Sequence, residues 1–290
     1  MSGVENRKKG ILYILLSAFA FAIMAVFVRE AGDLPSAQKA LFRNLVSFAF
    51  AALILLRSGT ALRGPHHWLP LSLRATFGTI GVIANFYAID HLPLGDANSL
   101  NKLSPFFAVL ASAVILKEKI KAYQLISLII AFGGAALILK PEIGGTALGL
   151  AHLLAVLGAL TAGLAYTYVR KLGLLGESGA FIVFFFSAFS IVVLLPFALA
   201  NYVSMSSRQL VFLLLAGLAA SFGQLGITQA YRYAAARSIS IYNYAQIPFA
   251  AILGLIFFAE LPDLTGLFGY LLIIASAVFM YFYERKVYEQ

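Results

Sequence analysis

Ten apolar runs fill the 290 residues almost end to end, and they fall into two sets of five that resemble each other. The runs lie near 11–28, 37–56, 67–89, 95–116, 122–139, 147–169, 179–200, 210–231, 239–259 and 265–283. A helix needs about 20 largely apolar residues to cross the hydrocarbon core, so each run is a candidate span. An odd number of spans per set forces the second set to thread the bilayer in the opposite sense to the first. The expected fold is all-α and integral to the membrane: ten transmembrane helices as two inverted five-helix repeats around a central cavity, residues 1–145 and 146–290. Secondary transporters are built this way.

Composition agrees. Only 11% of the residues are charged and the mean hydropathy is +0.91, against about 25% charged residues in ordinary soluble domains. The connections are too short for a soluble domain. The first run follows Arg7, Lys8 and Lys9 and lacks a small-x-small cleavage site before Arg29, so a retained span is expected rather than a signal peptide. The chain has no cysteine, which removes disulfides and thiolate chemistry.

The net charge of +9 could point to nucleic acid, but its placement reads as topology. With the amino terminus in the cytoplasm, 14 of the 21 basic residues fall in cytoplasmic segments and four (Arg29, Lys39, Lys140, Arg208) fall outside. Cytoplasmic loops collect Lys and Arg, so both termini are expected there, in the inner membrane of a prokaryote, with no nucleic-acid partner.

The halves match best at an offset of 142 residues, which lays residues 101–118 (NKLSPFFAVLASAVILKE) over 243–260 (NYAQIPFAAILGLIFFAE). Asn101 meets Asn243, Phe107 and Ala108 meet Phe249 and Ala250, and Glu118 meets Glu260. Charge placement alone puts Glu118 and Glu260 on opposite faces. A span with P-x-F-A and an apolar run ending in Glu, once per half, resembles the EamA repeat of the drug/metabolite transporter superfamily. The segment at 86–100 (FYAIDHLPLGDANSL) and Arg43 in LFRNL are similar to other parts of that repeat. The resemblance implies a central cavity lined by spans one to four and six to nine, with the fifth and tenth peripheral. It also implies a transported small molecule, most often exported.

Three cations lie within spans: Arg43, Arg74 and Lys102. Each costs roughly 2.5–3.5 kcal/mol at mid-bilayer on insertion scales, so uncompensated ones are not expected. Arg43 and Lys102 enter from the outer side and are expected to share one layer of the cavity, binding a carboxylate or phosphate; Asp96, Asn98 and Asn101 are alternative partners for Lys102. Arg74 enters from the cytoplasmic face and is expected to snorkel to the headgroups. No acid lies deep in a span, which favours an anionic or zwitterionic cargo. An amino acid or related carboxylate is the first expectation, and a larger anionic or aromatic metabolite such as a nucleotide-linked cofactor or vitamin the second.

The second half contributes uncharged polarity. Gln224, Asn243, Gln246 and Tyr242 are candidate cargo contacts, alongside Asn101 in the first half. Tyr166, Tyr168 and Tyr231 either offer a hydrogen bond or a flat face to a cargo or, near span ends, serve as aromatic-belt residues. His152 is the one histidine within a span, and its ordinary titration range suits proton coupling; a bond to a neighbouring carbonyl is the structural alternative. Glu118 and Glu260 end their spans and read as interfacial. Pro105, Pro196 and Pro248 fall inside spans, and Pro105 and Pro248 are candidate hinges, by kinking their helices. Small residues four apart (Ala155, Ala159, Gly163; Ala219, Gly223) suit close helix approach.

Direct ATP hydrolysis is not expected, since no Walker motif is present. A membrane-embedded, lipid-modifying enzyme would need clustered His, Asp or Glu, and no span carries such a cluster. No cofactor and no metal site is expected; the partners are the cargo and membrane lipid. Either a monomer or a homodimer suits this build.

Overall fold

The computed structural model describes residues 6–58, 67–91, 100–139, 149–259 and 264–288. The described residues are almost wholly helical. We number the long helices α1 (Arg7–Glu30), α2 (Ser36–Ser58), α3 (Trp68–His91), α4 (Ser104–Ile115), α5 (Ala122–Leu139), α6 (Leu150–Leu174), α7 (Gly179–Ala200), α8 (Ser207–Tyr233), α9 (Gln246–Phe258) and α10 (Leu264–Tyr288). Among the described residues, seven helical segments are long and apolar enough to cross a membrane, and two shorter apolar helices accompany them. Leu56, Val114, Val192 and Ile256 are each at least 67% exposed. A soluble monomer rarely leaves so much apolar side chain outward, whereas lipid covers it at no cost.

Two of the apolar helical segments are broken. Leu100 and Asn101 are helical, the chain turns at Lys102 and Leu103, and α4 starts at Ser104. In the second half a single turn at Ala236–Ile239 passes through a 3₁₀ segment, Ser240–Ala245, before α9 begins. The prolines explain the restart. Pro105 lies in the first turn of α4 and Pro248 in that of α9, where a missing N–H leaves no intrahelical bond unmade. They therefore begin helices rather than kink them, which corrects the sequence expectation. Pro196 does lie inside α7.

Helices meet mainly across the halves: α1 on α8, α3 on α6, α2 on α7, α5 on α10, α4 on α6 and α9 on α1. Exchanging the halves maps each of these pairings onto another of the set or onto itself. Small residues make the approach possible. A Cβ on Gly163 would meet Phe107 Cβ at 2.6 Å and the Ala108 amide nitrogen at 2.7 Å. One on Gly223 would meet the Phe21 ring at 2.8 Å. The same surfaces carry short polar bonds. The Ser17 hydroxyl donates to the Gly223 carbonyl at 2.6 Å, and the Thr79 and Ser190 hydroxyls meet at 2.8 Å.

The bundle has two chemically different ends. At one, the Asn6 amide donates to the Tyr233 carbonyl (3.0 Å) and Arg7 Nη2 to the Tyr281 carbonyl (3.3 Å), and Arg170 pairs with Glu118 (3.3 Å). At the other, Gln38 exchanges two hydrogen bonds with the Val203 backbone, and Arg208 pairs with Glu30 at 3.0 Å. α1 starts at the first, basic end, whereas α6 finishes there. These two helices therefore run in opposite directions.

Candidate functional site

Lys102 sits at the turn just before α4, and its Nζ donates to Gln246 Oε1 at 3.1 Å. Gln246 is the first residue of α9, at the corresponding break in the other half. The Tyr244 hydroxyl donates to the Lys102 carbonyl at 2.7 Å. A broken helix leaves carbonyls without intrahelical donors, and a tyrosine hydroxyl is one remedy. The two breaks are therefore bonded to each other. Tyr242 and Asn243 are buried in the same 3₁₀ segment. Asn101, one residue before Lys102, donates from Nδ2 to Asn85 Oδ1 on α3. Asn85 is the contact that sequence reasoning missed; a polar residue mid-span in an apolar run was the available signal.

A second group lies between α2, α3, α6 and α7. Arg43, Arg74 and Tyr166 are within electrostatic reach of one another. Arg74 is 2% exposed, which overturns the expectation that it snorkels to headgroups. Its guanidinium lies over the Phe186 ring at 4.0 Å. Gly78, one turn on, makes the berth, because any Cβ there would collide with Arg74 Nη1. Among the described residues, no acceptor reaches Arg74 Nε or Nη1. Tyr166 stacks on Tyr231 with centroids 5.0 Å apart and planes 5° from parallel. Tyr231 is fully buried and its hydroxyl meets Ser240 Oγ at 3.1 Å, at the start of the 3₁₀ segment that precedes α9. Both belong to the interior rather than to an interfacial belt.

The sequence candidates are thus regrouped. Arg43 is beside Arg74, and among the described residues the partner of Lys102 is Gln246 rather than Arg43's neighbours. Gln224 is half-buried on α8. His152 lies in the first turn of α6, and among the described residues no carbonyl accepts from its Nδ1. Glu118 is 11% exposed in its side chain, held in the ion pair with Arg170 rather than spread at an interface. Arg170 Nη1 also donates to the Arg232 carbonyl at 3.1 Å, and Arg232 Nη1 to Gln229 Oε1 at 2.6 Å. Asp96, Asn98, Lys140 and Glu260 lie outside the described residues, as does the side chain of Asp90.

The EamA-like transporter family matches twice in tandem, over residues 8–140 and 149–282. The chain belongs to the EamA-like transporter family. Among the relatives of this EamA-family chain, a pseudopaline exporter of Pseudomonas aeruginosa is 31% identical over 274 residues, 93% of this chain and 95% of that one. A riboflavin transporter of Brucella anthropi is 29% identical over 276 residues, 90% of this chain and 94% of its own. A crystal structure superposes with a TM-score of 0.83 at 14% identity, covering 97% of this chain and 99% of that one, so the fold is shared. The chain is a membrane transporter of the EamA type, with a small molecule as its cargo.

Proposed function

We propose that this EamA-family protein is a secondary transporter that moves an amino acid or related carboxylate-bearing metabolite out of the cell by alternating access. In this reading its ten spans form two inverted repeats, residues 1–145 and 146–290, with both termini in the cytoplasm of a prokaryote and the basic end of the bundle facing inward. The observation that carries it is the paired break: the fourth and ninth spans are both interrupted, and Lys102 and Gln246 bridge the two interruptions. Discontinuous helices near the bilayer midplane hold the cargo in many secondary transporters, because freed backbone groups and the polar side chains beside them face the pathway. Lys102, Asn101, Gln246, Asn243, Tyr242 and Gln224 line that site, and Arg43 faces it from α2. The interchange symmetry of the helix pairings and the opposite directions of α1 and α6 support the inverted frame. Export follows the pseudopaline exporter among the relatives. Pro105 and Pro248 mark where each broken span pivots, and His152 is the candidate for proton coupling.

A specific observation favours a second reading. The Tyr166–Tyr231 stack offers a flat aromatic face, and one relative is a riboflavin transporter. A planar anionic vitamin or nucleotide-linked cofactor would use that face. Both readings are tested by screening the purified protein for thermal stabilisation against amino acids, dicarboxylates and flavins, followed by counterflow of the hits in proteoliposomes. A ligand that binds only the folded state raises apparent stability by mass action. Hits among amino acids and carboxylates support the first reading, hits among flavins the second. Stabilising compounds that show no counterflow would remove the transport mechanism.

A further inference from the structure

Arg74 is a buried cation that the site built around Lys102 does not use. Phe186 covers one face of its guanidinium, which leaves the in-plane N–H groups as its polar edge. Two of those three nitrogens have no acceptor among the described residues. Arg43 is close enough to repel it, and among the described residues no carboxylate acts on either guanidinium: Glu118 is taken by Arg170, Glu30 by Arg208, and Glu177 accepts from the His67 amide. Two guanidinium groups in one apolar bundle, with no counter-charge among the described residues, are unfavourable, and a buried donor left unpaired adds to the cost. One oxyanion between them would remove both penalties. Each guanidinium can engage a carboxylate or phosphoryl with two parallel bonds, which a lysine cannot do. Lys102, by contrast, already has Gln246.

We infer that Arg74 and Arg43, assisted by the Tyr166 hydroxyl, clamp an oxyanionic group of the cargo, a carboxylate or a phosphoryl, in the middle of the bundle. This inference rests on the transport reading and makes Arg74 a specificity-determining residue. Tyr166 carries the occupied state onward, because it stacks on Tyr231 and Tyr231 is bonded to Ser240 in the ninth-span break.

The test uses the purified full-length protein in detergent at low ionic strength, with succinate, methylphosphonate and chloride as probes at matched ionic strength. Succinate or methylphosphonate should raise the unfolding temperature while chloride does not, and the better of the two identifies the group as carboxylate or phosphoryl. Arg74→Gln should raise the ligand-free unfolding temperature, since it removes an unpaired buried charge, and should weaken the probe's binding at least ten-fold. Arg74→Lys, which keeps the charge but loses the fork, should weaken it comparably. Gly78→Ala, which keeps every charge but fills the berth, should do the same; these two variants carry the test if Arg74→Gln does not fold. The inference is overturned if neither oxyanion stabilises the wild type, or if the variants bind the probe as the wild type does. Metabolite exchange in vesicles without any oxyanion binding removes the clamp and leaves the transporter. Oxyanion binding through Arg74 without exchange of any metabolite does the reverse.

Discussion

The Tyr244 hydroxyl donates a 2.7 Å hydrogen bond to the carbonyl of Lys102, the residue that occupies its own position in the other half of the chain. Two positions 142 apart thus meet each other at the breaks that precede α4 and α9. The same offset relates Lys117 (φ 55°) and Ala259 (φ 53°), the two non-glycine residues with positive φ among the described residues. Each ends the helix that follows a break. The halves share this backbone plan while their side chains differ, lysine on one side and tyrosine on the other.

Tyr244→Phe removes the donor to the part-buried Lys102 carbonyl. The expected cost is about 1–2 kcal/mol of stability. Thermal unfolding in detergent should show a lower transition temperature, with the fold retained by circular dichroism.

Glu118→Gln leaves Arg170 with the Arg232 carbonyl but without its counter-charge. We expect a loss of about 2 kcal/mol, below the roughly 3–5 kcal/mol of breaking a fully buried pair, because the amide can still accept a hydrogen bond. Transport should fall only several-fold. The Glu118→Ala/Arg170→Ala double variant should lose less stability than the two single variants added together, since the second change removes the orphaned partner.

Gly163→Val drives a branched side chain into Phe107 and the Ala108 backbone, which cannot swing aside, and should cost about 3 kcal/mol. Gly133 on α5 meets nothing within 4 Å. Gly133→Ala should therefore be neutral or stabilise by up to about 1 kcal/mol through helix propensity. Gly163→Val should lower the unfolding temperature and Gly133→Ala should not.

The helices and their approximate ends were legible because membrane spans announce themselves by length and apolarity. α7 begins and ends where the apolar run at 179–200 does, and α5 likewise matches 122–139. The site was legible in part. Lys102, Asn101 and Gln246 do meet partners at the breaks, but Gln246 as the partner of Lys102 comes from a segment 144 residues away, beyond the reach of local spacing. Arg74 was misread because depth along a helix says nothing about rotation around it. Its second turn faces Phe186 rather than lipid. For the same reason the sequence does not decide between a cargo contact and an aromatic belt for Tyr231, which stacks inward on Tyr166.

Topology provides an independent check. Lys121→Cys and Arg237→Cys, introduced into a chain with no native cysteine, should react with a membrane-impermeant maleimide only after the cytoplasmic face is opened. Labelling of either on intact cells would reverse the proposed orientation.

The most direct test of the transport mechanism is counterflow of the best-stabilising carboxylate in proteoliposomes, comparing wild type with Arg43→Ala. Wild type should show saturable counterflow that Arg43→Ala lacks, with the variant's expression, elution profile and circular dichroism near normal. Counterflow retained at the wild-type rate in Arg43→Ala would contradict the site at its centre.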